Sequence, residues 1–158
     1  MRTVPYSEHD MAYVARRYTT GTTGFTLIEL MVTVAIIGIL SSLAMSAYSQ
    51  YVVRSKLSDT LSALGAARLQ IEQSFVDSRN YGVAGQACNY IPANTQYFTM
   101  SCTVGATNQN YTLRAVSNAG VGLGNVAGVY EYAVNQSNQQ STPKFAGLAG
   151  SATSWQIK

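Results

Sequence analysis

Between Phe25 and Val53 the chain carries a single charged side chain, Glu29. The segment FTLIELMVTVAIIGILSSLAMSAY exceeds the roughly 20 apolar residues that a helix needs to cross the hydrocarbon of a bilayer. Backbone amides in hydrocarbon find no water, so a lone span of this kind must be helical. No proline occurs between Pro5 and Pro92, so nothing forces the helix to stop where the apolar stretch ends. Charges resume at Arg54 and Lys56, and the pattern turns amphipathic: Leu57, Leu61, Leu64, Ile71 and Phe75 fall on one face, with Asp59, Gln70, Gln73 and Asp77 between them. Asn80, Tyr81 and Gly82 form a C-terminal stop. The sequence therefore predicts one helix of about 55 residues, about 80 Å long at 1.5 Å per residue, lipid-soluble in its first half and packed in its second.

The partner for the second half is the rest of the chain. Residues 97–102, 111–116, 129–135 and 139–145 carry Tyr, Thr, Val or Phe in partial alternation, with Asn, Gly and Ser in the gaps. Gln136-Ser137-Asn138 is short enough for a hairpin between the last two, and Pro143 is expected at an edge or strand end. An α+β domain follows, with an antiparallel sheet of about four strands laid over the amphipathic helix. The run GVGLGNVAG has Asn125 where a dinucleotide fingerprint has its third glycine, and it sits between strand-like segments; it reads as a flexible loop.

Composition removes most catalytic chemistries. The only histidine is His9, upstream of the apolar helix, and beyond Asp77 the only acid is Glu131. A histidine-based triad or zinc site, paired carboxylates and an acidic calcium cage are thereby excluded from the distal half, so no enzyme is expected and no cofactor is called for. The first 24 residues are polar and basic, with Arg16 and Arg17 before the small run TTGTTG. In a secretory signal the apolar stretch precedes the small-residue cut site; here the order is reversed. Met11 is a second candidate start.

Gly24-Phe25-Thr26-Leu27-Ile28-Glu29-Leu30, followed by an apolar helix, resembles the class III signal of type IV prepilins and their pseudopilin relatives. The resemblance implies a pilin fold divided into a leader (1–24, removed), a transmembrane and assembly helix (25–53) and a globular domain (54–158). Within that domain it implies helix over 54–81, a connecting loop over 82–96 and sheet over 97–158. It implies cleavage between Gly24 and Phe25 by a membrane prepilin peptidase, N-methylation of Phe25, and assembly through Glu29. A carboxylate at the centre of a bilayer costs on the order of 2.5–3.5 kcal/mol. Pairing Glu29 with the new amine of a neighbouring subunit's first residue neutralises two charges in an apolar filament core.

Gly38 falls where family members commonly carry a helix glycine, while Ser46 stands where many have a proline. Residues 38–46 are therefore expected to melt less in a filament than in relatives. The resemblance also implies an inner-membrane precursor with a cytoplasmic N-terminus, later a cell-surface pilus. Its partners are other pilin subunits, the inner-membrane assembly platform, and membrane lipid before assembly. Arg54 and Lys56, just past the span, weaken the charge bias that would otherwise support this orientation.

Cys88 and Cys102 are the two cysteines, both in the part expected outside the cytoplasm, which predicts a disulfide between the helix-to-sheet connection and the first strand; the alternative is two free thiols. The chain ends Ser154-Trp155-Gln156-Ile157-Lys158 with no C-terminal disulfide partner, more like PilE-type minor pilins than major ones. From residue 54 onward the basic residues are Arg54, Lys56, Arg68, Arg79, Arg114, Lys144 and Lys158, against Asp59, Glu72, Asp77 and Glu131. They are scattered in sequence, so a solvated surface is favoured over a DNA-capturing stripe. The leading expectation is a minor pilin serving pilus assembly and initiation, and through it adhesion and twitching. A type II secretion pseudopilin and a DNA-uptake pilin are the alternatives.

Overall fold

The computed structural model describes residues 24–157. The leader residues 1–23, including His9, Met11, Arg16 and Arg17, and the terminal Lys158 lie outside them. The chain divides into two units after Leu40. One α-helix, α1, runs Leu27–Ser78 and contributes to both. It contains a stretch long and apolar enough to cross a membrane, none of it buried within the protein. In the first unit every described side chain is exposed, including Phe25, Leu27, Ile36 and Ile39. Such a surface is stable only in lipid or against other apolar helices.

In the second unit, α1 buries Leu57, Thr60, Leu64, Ala67 and Ile71. Leu61 and Phe75 pack at the margin of the core, and the expected polar positions Asp59, Gln70, Gln73 and Asp77 are exposed. Thr60 sits in the apolar face because its Oγ1 donates to the Lys56 carbonyl at 2.9 Å, which satisfies the buried hydroxyl. The helix ends at Ser78, ahead of the Asn80-Tyr81-Gly82 stop. Arg79, not a glycine, takes the left-handed conformation (φ 59°), with its N–H bonded to the Phe75 carbonyl at 2.7 Å.

The sheet is an antiparallel meander, β1 Phe98–Val104, β2 Tyr111–Ser117, β3 Glu131–Asn135, β4 Gln140–Phe145 and β5 Leu148–Ala152, in that spatial order. In β1 and β2 alternate residues face the helix: Phe98, Met100, Cys102 and Val104, then Tyr111, Leu113, Ala115 and Ser117. Tyr132 and Val134 extend this core from β3. The sheet has five strands where about four were expected. The sequence of the fifth, LAGSA, has neither β-branched nor aromatic residues. The strand forms because Ala146 and Gly147 (φ 52° and 82°) turn the chain straight back along β4, with Phe145 opposite Leu148.

Pro143 corrects an expectation. It lies inside β4, an interior strand, and not at an edge. Register shifts between Glu131 and Ala133 on one side, and between Thr142 and Lys144 on the other, bracket it, so the missing N–H falls where the ladder is already irregular.

The glycine-rich stretch is anchored at two points. Leu123 is inserted in the core, and the Val121 carbonyl accepts a bond from Lys56 Nζ at 2.7 Å. A Cβ on Gly122 (φ 76°) would lie 2.6 Å from that ammonium, so the glycine permits the approach. The C-terminal segment, which has no disulfide, is fastened by hydrogen bonds. Thr142 Oγ1 donates to the Ser154 carbonyl (2.8 Å), Trp155 Nε1 to the Ala133 carbonyl (3.0 Å) and Tyr132 Oη to the Gln156 carbonyl (2.6 Å).

Candidate functional site

Gly24 and the exposed Phe25 precede α1, and Glu29 lies in its first turn. Glu29 N–H donates to Thr26 Oγ1 at 3.2 Å, and its carboxylate Oε2 accepts from Thr26 N–H at 3.1 Å and from Thr26 Oγ1 at 3.0 Å. This is a capping box, in which Thr26 and Glu29 each satisfy a backbone donor of the other. Sequence reasoning assigned Glu29 to assembly alone. The Thr-x-x-Glu spacing ahead of an apolar run was the signal that could have revealed its second role. A Cβ on Gly24 or on Gly38 would meet nothing within 4 Å. Neither glycine is required by packing among the described residues.

The globular unit consumes much of its own charge. Glu72 accepts bonds from Tyr81 Oη at 2.8 Å and Tyr111 Oη at 2.9 Å, tying α1 to the following loop and to β2. Burial, and then the hydrogen bond to Glu72, pushes the Tyr81 hydroxyl up to about 12; the same two causes raise Tyr111. Beside this carboxylate Phe75 stacks on Tyr81, and Tyr81 meets Tyr111 edge to face. Arg68 lies 3.9 Å from Glu72 and donates to the Gln136 carbonyl at 3.2 Å. Lys56 packs over the Tyr97 ring, and Arg114 pairs with Glu131 across the β2–β3 register. Of the basic residues named from sequence, Arg54, Arg79 and Lys144 stand exposed without an ion pair among the described residues.

Arg79 nevertheless has a distinctive neighbourhood. Its carbonyl accepts from Gln109 Nε2 at 3.1 Å, and Asn89 Nδ2 donates to Asn80 Oδ1 at 3.1 Å. Tyr81 N–H reaches the Asn108 carbonyl at 2.9 Å. The end of α1, the loop after it and the β1–β2 loop thus converge on one exposed patch of a guanidinium and several amides. The Cys88–Cys102 disulfide holds the loop to β1, as expected, together with the bridge between Ala87 and Thr103. The amide patch was not legible in sequence, because Arg79, Asn89 and Gln109 are far apart along the chain.

An exposed apolar helix opened by a capping box, followed by a disulfide-tied α+β domain, defines the class of type IV pilins. A family described as "Prokaryotic N-terminal methylation motif" matches residues 21–45. Another, described as "Type IV minor pilin ComP, DNA uptake sequence receptor", matches residues 46–125. The chain is similar to a type IV major fimbrial protein FimA of Dichelobacter nodosus, 48% identical over 37% of this chain and 38% of that one. It is also similar to a probable minor fimbrial protein of the same organism, 52% identical over 34% of each. The chain therefore spans little more than a third of the length of these two relatives. A fimbrial protein EcpC of Eikenella corrodens is 32% identical over 64% of this chain and 67% of that protein. No solved structure matches. The chain belongs to the type IV pilins and, within them, to the ComP minor pilin family; these are structural proteins and not enzymes.

Proposed function

We propose that this chain is a minor subunit of a type IV filament whose globular domain engages DNA. Its precursor sits in the inner membrane with a cytoplasmic N-terminus, and prepilin peptidase cuts it between Gly24 and Phe25 and methylates Phe25. It then joins other subunits at the assembly platform through residues 25–53, where Glu29 pairs with a neighbour's amine, and reaches the cell surface. The observation that carries the DNA reading is the match of residues 46–125 to a family described as a DNA uptake sequence receptor. The patch around Arg79 lies within that span and supplies suitable chemistry: a guanidinium for phosphate, and the side-chain oxygens of Asn89 and Gln109, whose amide nitrogens are held by Asn80 and the Arg79 carbonyl, as acceptors for base edges. This reverses the preference drawn from sequence, where scattered basic residues favoured a solvated surface.

The test is binding of duplex DNA by the full-length processed chain across a salt series. Arg79→Gln is expected to weaken binding and to lower the salt slope by about 0.9. Absence of DNA binding at low salt removes the reading.

A second reading, a minor pilin that primes assembly and so serves adhesion and twitching, is supported by the similarity to a probable minor fimbrial protein. Deleting the gene separates the two. Loss of transformation with surface pili intact supports DNA uptake; loss of pili and twitching supports priming.

A further inference from the structure

Just past the apolar stretch, the globular unit opens a cleft between α1 and the sheet. Val53, Leu57, Tyr130, Phe145 and Ile157 form its apolar lining, and Arg54 stands among them. Tyr130 and Phe145 meet edge to face at 5.3 Å, and Leu57 closes the floor at 1% exposure. On the preceding turns of α1, Tyr48 and Tyr51 are 67% and 72% exposed. Tyrosines in such positions favour the water–membrane interface. Counting about 20 residues from Leu30, the first after Glu29, brings the hydrocarbon-spanning part to an end near Ser49. Arg54 then falls in the headgroup layer. Among the described residues no carboxylate pairs with it, since Glu72 and Glu131 are matched to Arg68 and Arg114.

We propose that this cleft is a phospholipid site, in which Arg54 holds an anionic headgroup and the apolar lining receives the start of an acyl chain. Three features select this occupant: the cleft follows the membrane span along α1, its one charge is positive, and beyond the polar Ser49 and Gln50 at the span's end the rest of its lining is apolar. Basic clefts beside membrane helices favour anionic headgroups by about 1 kcal/mol per basic residue, roughly a fivefold preference. Such a site would seat the base of the domain on the bilayer while the subunit waits to be assembled. It rests on the reading of residues 25–53 as a membrane span.

The experiment titrates the full-length chain in detergent with phosphatidylglycerol and with phosphatidylcholine of the same acyl chains, followed by native mass spectrometry. The wild type is expected to bind phosphatidylglycerol about fivefold more tightly. Arg54→Gln should abolish that preference, Arg54→Lys should retain it, and Ile157→Ser should weaken both lipids alike. Equal binding of the two lipids by the wild type, or a preference that survives in Arg54→Gln, overturns the site. So does a lipid-free dimer in which a second copy fills the cleft. Flotation with vesicles distinguishes the two levels of failure. A chain that floats without headgroup preference loses only the cleft; one that does not float loses the span as well.

Discussion

The carboxylate of Glu72 is the main polar link between α1 and the sheet, and its removal has a calculable effect. It accepts hydrogen bonds from Tyr81 and Tyr111 at 2.8 and 2.9 Å, and those residues are 6% and 2% exposed. Glu72→Ala strands both hydroxyls. An orphaned buried donor costs about 1–3 kcal/mol. Because the Glu72 side chain is itself 33% exposed, water can enter the gap it leaves, so the total should fall near the lower end, about 2–3 kcal/mol. The Arg68 contact at 3.9 Å adds at most about 0.5 kcal/mol, the usual value for an i,i+4 pair on a helix. Glu72→Gln keeps one acceptor and offers its amide N–H to the other phenol oxygen, so it should lose only about 1 kcal/mol, the difference between charged and neutral hydrogen bonds. Urea unfolding of the full-length chain in mild detergent, followed by the fluorescence of the single tryptophan Trp155, reads both variants. A double-mutant cycle with Tyr111→Phe should show coupling of about 1 kcal/mol or more. A Glu72→Ala midpoint indistinguishable from the wild type would refute the idea that this carboxylate clasps helix to sheet.

Other outcomes follow from the same structure. Reducing Cys88–Cys102, which closes a separation of 14 residues, should lower stability by about 3 kcal/mol, measured by the same unfolding with and without reductant. Raising the pH should unfold the domain. Tyr81 is pushed up from 10.0 to about 12, and burial also raises Tyr111 and Tyr132. Because their folded values exceed the unfolded one, their stabilisation is complete below about pH 10 and is lost as pH climbs through the folded values, with a slope of about 1.4 kcal/mol per pH unit per group. A circular-dichroism titration that stays flat to pH 12 would contradict this. Gly24→Leu should block leader removal without disturbing the fold, since a Cβ there meets nothing within 4 Å; the gel should show an unshifted band. Glu29→Gln separates capping from charge. Glutamine preserves the capping box, so filament incorporation as poor as that of Glu29→Ala supports charge pairing, and normal incorporation shows that capping is what matters.

The long helix and the first four strands were legible because their signals are local. An uncharged run longer than a bilayer is thick and leucines at helical spacing need no knowledge of the rest of the chain, and neither do alternating Tyr, Thr and Val. What escaped depends on neighbours. LAGSA becomes β5 only because Ala146 and Gly147 reverse the chain beside β4, and Pro143 is accommodated only because the register slips on both sides of it. The site divided in the same way. Gly24, Phe25 and Glu29 stand out as a contiguous motif. The union of Arg79, Asn89 and Gln109 is made by three loop contacts and a disulfide, and no spacing rule anticipates it. The Thr26–Glu29 box was readable and was overshadowed by the larger motif that contains it.

That box has a consequence for the life of the subunit. Both of its members lie on the retained side of the proposed scission, so trimming the leader takes nothing from the structure that opens the rod. In the proposed filament, the acid that a neighbour would recruit is already engaged at home, held by its own threonine at about 3 Å. Joining the fibre is then a change of companion and not the rescue of a stranded charge. On that proposal, a subunit that leaves the filament re-forms the Thr26–Glu29 box from its own residues.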